Sequence, residues 1–195
     1  MHMRGSVMGP TGKWEKLENP ARVAELSPVD TLTRAGIFDG ATVCDIGAGS
    51  GLFATAAARL THAAVYAVDT DADILARLAE KAKAEGLSNL NTVPVSGYSY
   101  PLEENSVDLI LLVTLLHEID RKDLLFAEIK RILKPSGRIC IVEFRKEPTP
   151  MGPPVPHRCS ARETEAICAG YGYRKAQEFL VGESFYSQVY THNPE

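Results

Sequence analysis

The chain has no apolar run long enough to cross a bilayer and no apolar core near its N-terminus of the kind a signal peptide needs. A protein free of membranes, in the cytoplasm, is the expectation. Its four cysteines, Cys44, Cys140, Cys159 and Cys168, form no C-x-x-C pair, which fits a reducing compartment and excludes a zinc-knuckle spacing. There is no H-E-x-x-H; His117, Glu118 and Asp120 are near neighbours whose side chains diverge on a strand or a helix, so no metal is expected. Basic surplus is also lacking. The 21 Lys and Arg against 25 Asp and Glu leave a net charge of -4, which argues against a nucleic-acid partner.

What is present is the balance of an ordinary globular domain: 195 residues, 45% hydrophobic and 24% charged, enough for one substantial core. Met1 to Gly12 reads as a disordered lead within an N-terminal arm that spans residues 1–26. Ser27-Pro28 opens a helix with a hydroxyl N-cap and proline at its first position, and Gly36 ends it after Ala35. Strands are expected over Ala41–Ile46, Val65–Val68, Asn91–Val95, Asp108–Val113 and Arg138–Phe144. Between them come helices over Gly51–Leu60, Asp71–Lys83 and Arg121–Leu133, the last broken by Lys134-Pro135-Ser136-Gly137. Pro94 cannot donate to a ladder, so its strand belongs at a sheet edge. Residues 147–156 carry five prolines and read as a stiff connection. Ser160 to Glu163 is a capping box, opening a helix to about Ala169, and Tyr173–Val181 with Phe185–Thr191 forms a closing hairpin. Five alternations of strand and helix imply right-handed crossovers onto a parallel sheet with helices on both faces.

The informative segment is Val43-Cys44-Asp45-Ile46-Gly47-Ala48-Gly49-Ser50-Gly51, a strand feeding a glycine turn that feeds a helix. In a doubly wound α/β sheet such a turn floors the ligand site. The dinucleotide fingerprint G-x-G-x-x-G requires glycine at position 52, which is Leu52; the glycines here form G-x-G-x-G. Asp45, a carboxylate at the strand end, is awkward beside a pyrophosphate but suits a ligand with an ammonium group. Asp69, 18 residues after Gly51, ends the second strand where a ribose-binding carboxylate is expected.

Val43 to Gly51 resembles motif I of the class I S-adenosylmethionine-dependent methyltransferases, and Ala67-Val68-Asp69 is similar to their motif II. Pro101 to Asp108 with Leu115-Leu116-His117-Glu118-Ile119 resembles their "LPFPDNSFD…VLHHL" segment. Ile129 to Arg138 resembles their "EIxRVLKPGGR" signature. The resemblance covers about residues 28–145, in the style of small-molecule methyltransferases of the ubiquinone and menaquinone type. It implies a class I domain over 27–195, a mostly parallel seven-stranded sheet in the order 3-2-1-4-5-7-6, and S-adenosylmethionine as cofactor with S-adenosylhomocysteine as product. It also implies site roles. Asp45 and the backbone of Gly47, Ala48, Gly49 and Gly51 would hold the methionine part; Asp69 would take the ribose hydroxyls and Thr70 would flank the adenine. Val113 and Thr114 would face the methyl-donor end. Many relatives carry an acid where this chain has Ser96, which leaves adenine to the backbone of Ser96, Gly97 and Tyr98.

On the substrate side, His117 follows the fourth strand and is the first choice for a general base. His157 and Arg158 follow the fifth strand and are candidates for binding the acceptor, Arg158 through an anionic group. Lys13 and Trp14 either fold over the cofactor or, for Trp14, anchor the arm. The acceptor is expected to be a small molecule. Rival functions are a cofactor-binding regulatory module without turnover, a dinucleotide-dependent oxidoreductase, opposed by Leu52, and an aminopropyltransferase, opposed by Asp45.

Overall fold

The computed structural model describes residues 10–193, with side chains from position 12. Of the expected disordered lead, positions 1–9 lie outside the described residues. The arm itself is helical from Pro10: α1 (Pro10–Leu17) and α2 (Pro20–Leu26) precede α3 (Pro28–Ala35). Asn19 makes α2, its side chain accepting from the Ala21 and Arg22 amides ahead of Pro20 at the first position. Ser27 stands at the start of α3 as expected but does not cap it through its hydroxyl. It has φ +39 and donates Oγ–H back to the Ala24 carbonyl, because its first task is to end α2.

The sheet follows with β1 (Val43–Ile46), α4 (Leu52–Leu60), β2 (Val65–Asp69), α5 (Ala72–Ala84), β3 (Leu90–Pro94), β4 (Val107–Val113), α6 (Lys122–Ile132), β5 (Leu133–Phe144), α7 (Ala161–Gly170), β6 (Tyr173–Val181) and β7 (Phe185–His192). Its seven strands lie in the order β3-β2-β1-β4-β5-β7-β6, parallel from β3 to β5, with the β6–β7 hairpin antiparallel at the end. Pro94 is on the edge strand. Asp71 caps α5 by accepting from the Ile74 amide, and the capping box of Ser160 and Glu163 opens α7.

Alternation along each strand divides the core between two faces. Val43, Leu109, Leu111, Cys140 and Val142 meet Trp14, Leu32, Phe53, Leu75 and Leu78 from α1, α3, α4 and α5. Cys44, Ile110, Leu112, Ile139 and Ile141 meet Leu125, Phe126 and Ile129 of α6 with Tyr100 and Leu102. The Glu128-x-x-Arg131 pair on α6 explains its signature physically. Glu128 accepts from the Tyr100 amide, while Arg131 bonds Glu128 and the carbonyls of Leu102 and Tyr100, stitching the loop before β4 to the helix.

Residues Lys134 to Gly137 end α6 differently from the expected break. β5 begins at Leu133, which pairs with Val107, and the ladder resumes at Arg138 opposite Leu109. One residue of β4, Asp108, therefore stands against four of β5, and Lys134–Gly137 bulges out. Among the described residues no helix is long and apolar enough to cross a membrane.

Gly51, with φ +76, joins the turn to α4, and a Cβ there would lie 2.2 Å from Leu78 Cδ1 on α5. Gly51→Ala is expected to lower folding stability by about 2–4 kcal/mol in urea denaturation, combining left-handed backbone strain with overpacking.

Candidate functional site

The turn after β1 is folded by its own amides. Gly47 and Ala48 donate N–H to the Val68 carbonyl, at 2.8 and 3.0 Å, and Gly51 donates to the Ala48 carbonyl. Gly49 donates to Asp69 Oδ2 at 2.8 Å, whose other oxygen accepts from the Asp71 amide. The donors thus point into the sheet end, and the carbonyls of Gly47 and Gly49 accept no backbone hydrogen bond among the described residues. Such a loop offers acceptors, the reverse of a phosphate cradle. Positive φ at Gly47, Gly49 and Gly51 makes this arrangement possible.

Below it sits Asp45, 2% exposed. Burial pushes its carboxyl up to about 7; the Ala54 amide opposes the rise and the nearby charge of Asp69 adds to it. No basic side chain pairs with Asp45 among the described residues. Asp69, through the Gly49 and Asp71 amides, ties the first turn to the second. The turn after β3 joins them, because the Val95 amide donates to the Asp69 carbonyl. Thr70, Ser96 and Gly97 are exposed and Tyr98 is half-buried around that corner.

The fourth strand closes the group. Thr114 holds φ +51, rare for a branched residue, with its amide on the Val142 carbonyl. Leu115 lies over Gly47, where a Cβ would come within 2.8 Å of its Cδ1. Val113, Thr114 and the glycine turn thus share the carboxyl edge of the sheet, as topology requires.

The arm roofs this edge. Leu17 of α1 rests on Gly49, Lys13 pairs with Asp71 at 3.1 Å, and Trp14, 8% exposed, is anchored under Arg77 of α5. From α2, Arg22 donates to the Leu17 carbonyl and to Thr114 Oγ1, and Glu25 accepts from the amide and hydroxyl of Ser184 at the hairpin tip. Burial lowers the pKa of Arg22 from the usual arginine value, against the opposing charge of Glu18. Arg22 was not among the sequence candidates; Asn19-Pro20 was the local signal that a helix would carry it inward.

His117 sits in a short 3₁₀ turn, Leu116–Glu118, with its side chain 7% exposed. Its Nδ1 lies 2.7 Å from Glu143 Oε2, and its amide donates to Glu143 Oε1 at 3.2 Å. Burial works to lower the imidazole pKa, but the hydrogen bond and charge of Glu143, with a contribution from Glu118, outweigh it and raise the value; Arg158 opposes. Glu143, fully buried near the end of β5, was also missed, although a lone acid in the apolar run Ile139–Phe144 was a readable sign.

Arg158 departs from its expected role. It is 5% exposed, and its guanidinium donates to the carbonyls of Pro153, Arg145, Glu147 and Met151 and to Thr149 Oγ1. The cause lies in the prolines: a segment with few N–H donors leaves carbonyls unpartnered, and Arg158 supplies the donors. It binds the connection to the end of β5, and these oxygens take up its donors. His157, in the 3₁₀ turn Val155–His157, is exposed. Arg158→Ala is expected to cost about 2–4 kcal/mol of stability by orphaning these carbonyls. His157→Ala should change it by less than about 0.5 kcal/mol in the same thermal or urea melt.

Residues 44–141 match the model of the methyltransferase domain family. The chain is 28% identical over 124 residues to the ubiquinone/menaquinone biosynthesis C-methyltransferase of Hahella chejuensis, covering 62% of this chain and 50% of that protein. It is 32% identical over 117 residues to the enzyme of the same name from Allorhizobium ampelinum, covering 57% and 45%. The chain thus spans about half the length of the curated relatives it matches. Over nearly its whole length it superposes on a SAM-dependent methyltransferase from Aquifex aeolicus, with a TM-score of 0.87, 27% identity, and 94% and 98% of the two chains covered. With the G-x-G-x-G turn, the paired strand-end carboxylates and the 3-2-1-4-5-7-6 sheet in place, the chain belongs to the class I S-adenosylmethionine-dependent methyltransferase family.

Proposed function

We propose that this chain binds S-adenosylmethionine at the carboxyl edge of β1, β2 and β3 and transfers its methyl group to a small-molecule acceptor. The observation that carries the reading is the inward turn of the glycine-loop amides. It leaves the Gly47 and Gly49 carbonyls, above the buried Asp45 carboxyl, as a receptor for an ammonium group. A pyrophosphate would meet acceptors there, whereas an amino-acid ammonium meets complementary charge.

The residues present fit the cofactor. Asp45 with Gly47, Ala48 and Gly49 would hold its amino-acid end, and Gly51 lets α4 start close behind. Asp69 keeps lone pairs on both oxygens for ribose hydroxyls beyond the amides it already accepts. Thr70 and the Ser96–Tyr98 backbone would flank the adenine. When bound, the cofactor supplies a methyl group on a sulfonium. Val113 and Thr114 would define where that end lies, and His117 would take a proton from the acceptor. The protein's main contribution is then orientation, which can supply on the order of 7–11 kcal/mol. The roof formed by α1, α2 and the hairpin tip, held by Arg22 on Thr114 and Glu25 on Ser184, would enclose a small acceptor at this edge.

Calorimetry on the full chain is expected to show binding of S-adenosylhomocysteine and none of NAD; NAD binding with no response to S-adenosylhomocysteine would sink the assignment. Asp69→Ala should weaken S-adenosylhomocysteine binding by about 1.5–3 kcal/mol. It should also lower the melting temperature of the free protein, since the Gly49 and Asp71 amides lose their acceptor.

Asp45 makes cofactor binding depend on pH. Its folded-state carboxyl titrates near 7, above its unfolded value, so its contribution to stability is present in acid and lost as pH rises through about 7. An ammonium ligand requires the ionised form, so affinity must rise over the same window. S-adenosylhomocysteine binding is expected to tighten about tenfold between about pH 6 and pH 8, and Asp45→Asn should flatten that slope. A slope unchanged in Asp45→Asn would remove Asp45 from the ammonium site.

A further inference from the structure

Glu143 is a carboxylate at 0% exposure whose hydrogen-bond partners among the described residues both belong to His117. No Lys or Arg pairs with it there. A buried carboxylate without a cation is strongly unfavourable, so the position is a poor one for an acid that only packs. Its two oxygens act on one residue in two ways. Oε1 takes the His117 amide and fixes the 3₁₀ turn; Oε2 takes Nδ1 and fixes the ring. A neutral imidazole that donates from Nδ1 carries its lone pair on Nε2.

Nε2, the end of the ring away from Glu143, lies 3.7 Å from Glu118 Oε1, on a side chain 68% exposed. The Phe144 ring stands edge-on to the imidazole, with centroids 6.3 Å apart. The turn that holds His117 begins beside Leu115, which lies on Gly47, so the ring belongs to the same edge as the glycine loop.

We propose that Glu143 is a positioning residue that sets His117 with Nε2 as its proton-accepting atom, and that the methyl acceptor is therefore a group that loses a proton on methylation. That class holds hydroxyls, acidic C–H groups and N–H groups, and leaves out thioethers and tertiary amines. The inference rests on the methyltransferase reading above. In the step, the acceptor's Y–H bond gives its proton to Nε2 and its electron pair to the methyl carbon. The carbon–sulfur pair remains on sulfur, which becomes a neutral thioether, and the imidazolium is balanced by Glu143. Burial alone would make that imidazolium unfavourable; Glu143 and Glu118 favour it, and Arg158 opposes it.

The test is nitrogen-15 NMR of the imidazoles across a pH titration, on the full chain and on Glu143→Gln and Glu143→Asp, with His117→Gln to assign the ring. S-adenosylhomocysteine binding serves as the check on folding. The neutral His117 ring of the unaltered protein should carry its hydrogen on Nδ1, a measurement that needs no stable variant. Glu143→Gln should lower the ring's proton affinity about tenfold or more, and Glu143→Asp should restore part of it. A neutral ring protonated on Nε2, or a titration that Glu143→Gln leaves unmoved, overturns the proposal. In a second arm, the full chain is given methyl-labelled S-adenosylmethionine and a metabolite extract, and products are read by mass. A product with methyl in place of hydrogen supports the acceptor class; one that gains a whole methyl and a fixed positive charge overturns it. Failure to bind S-adenosylhomocysteine and to form it overturns the methyltransferase reading and the acceptor class with it, while the ring titration still decides the role of Glu143.

Discussion

The site depends on the hydrogen bond from the Gly49 amide to the Asp69 carboxylate. It couples the first turn of the sheet to the second, and with the Gly47 and Ala48 amides on Val68 it commits three of the loop's donors to protein acceptors. A glycine loop before a helix usually exposes amides, and the helix dipole adds to their pull on anions. Here the loop leaves the Gly47 and Gly49 carbonyls without a backbone donor, close in sequence to the buried Asp45 carboxyl. The sign of the site is reversed by where the amides point, and only glycines at +73, +53 and +76 in φ allow the chain to turn that way.

This reversal accounts for the state of Asp45. Without a basic side chain paired to it among the described residues, the buried carboxyl is pushed up to about 7, so it is cheaper to keep protonated below that pH than to ionise in the core. A ligand carrying an ammonium removes that penalty, so recognition and proton release become one event. The arm has a matching logic. Leu17 on Gly49 and Arg22 on Thr114 cover the edge from the first two helices, and covering excludes water from the place where charge moves.

Much of this was legible from residues. Strand and helix alternation, the Asp71 cap, the Ser160 box and the edge position of Pro94 are local rules, and local rules operate in the folded chain. Strand order is a different matter: nothing in the residues themselves ranks the strands, and the order came from the resemblance. The α1 and α2 helices were passed over because they are short and Trp14 and Leu26 are the buried residues they supply, too few for a periodic stripe. Arg158 shows a deeper limit. An arginine near a site mouth is the same letter whether it meets a substrate or five backbone and hydroxyl oxygens. The prolines beside it held the answer, since each removes a donor and leaves an acceptor.

Glu143 and Asp45 pose one problem with two solutions. Each is an acid in the carboxyl-end half of an inner strand, nearly or wholly hidden, with no lysine or arginine paired to it among the described residues. In an apolar core such a group either takes up a proton or finds a donor that shares its charge. Asp45 has no ring or guanidinium paired to it among the described residues, so burial pushes its carboxyl up to about 7. Glu143 has the His117 imidazole at 2.7 Å, and the charge is shared between them. One acid is therefore answerable to what binds, and the other to a side chain that can pass a proton on. On the proposed reading, that division puts ligand recognition at β1 and proton handling at β4 and β5. Leu115, lying on Gly47 two residues before His117, makes the two halves one site.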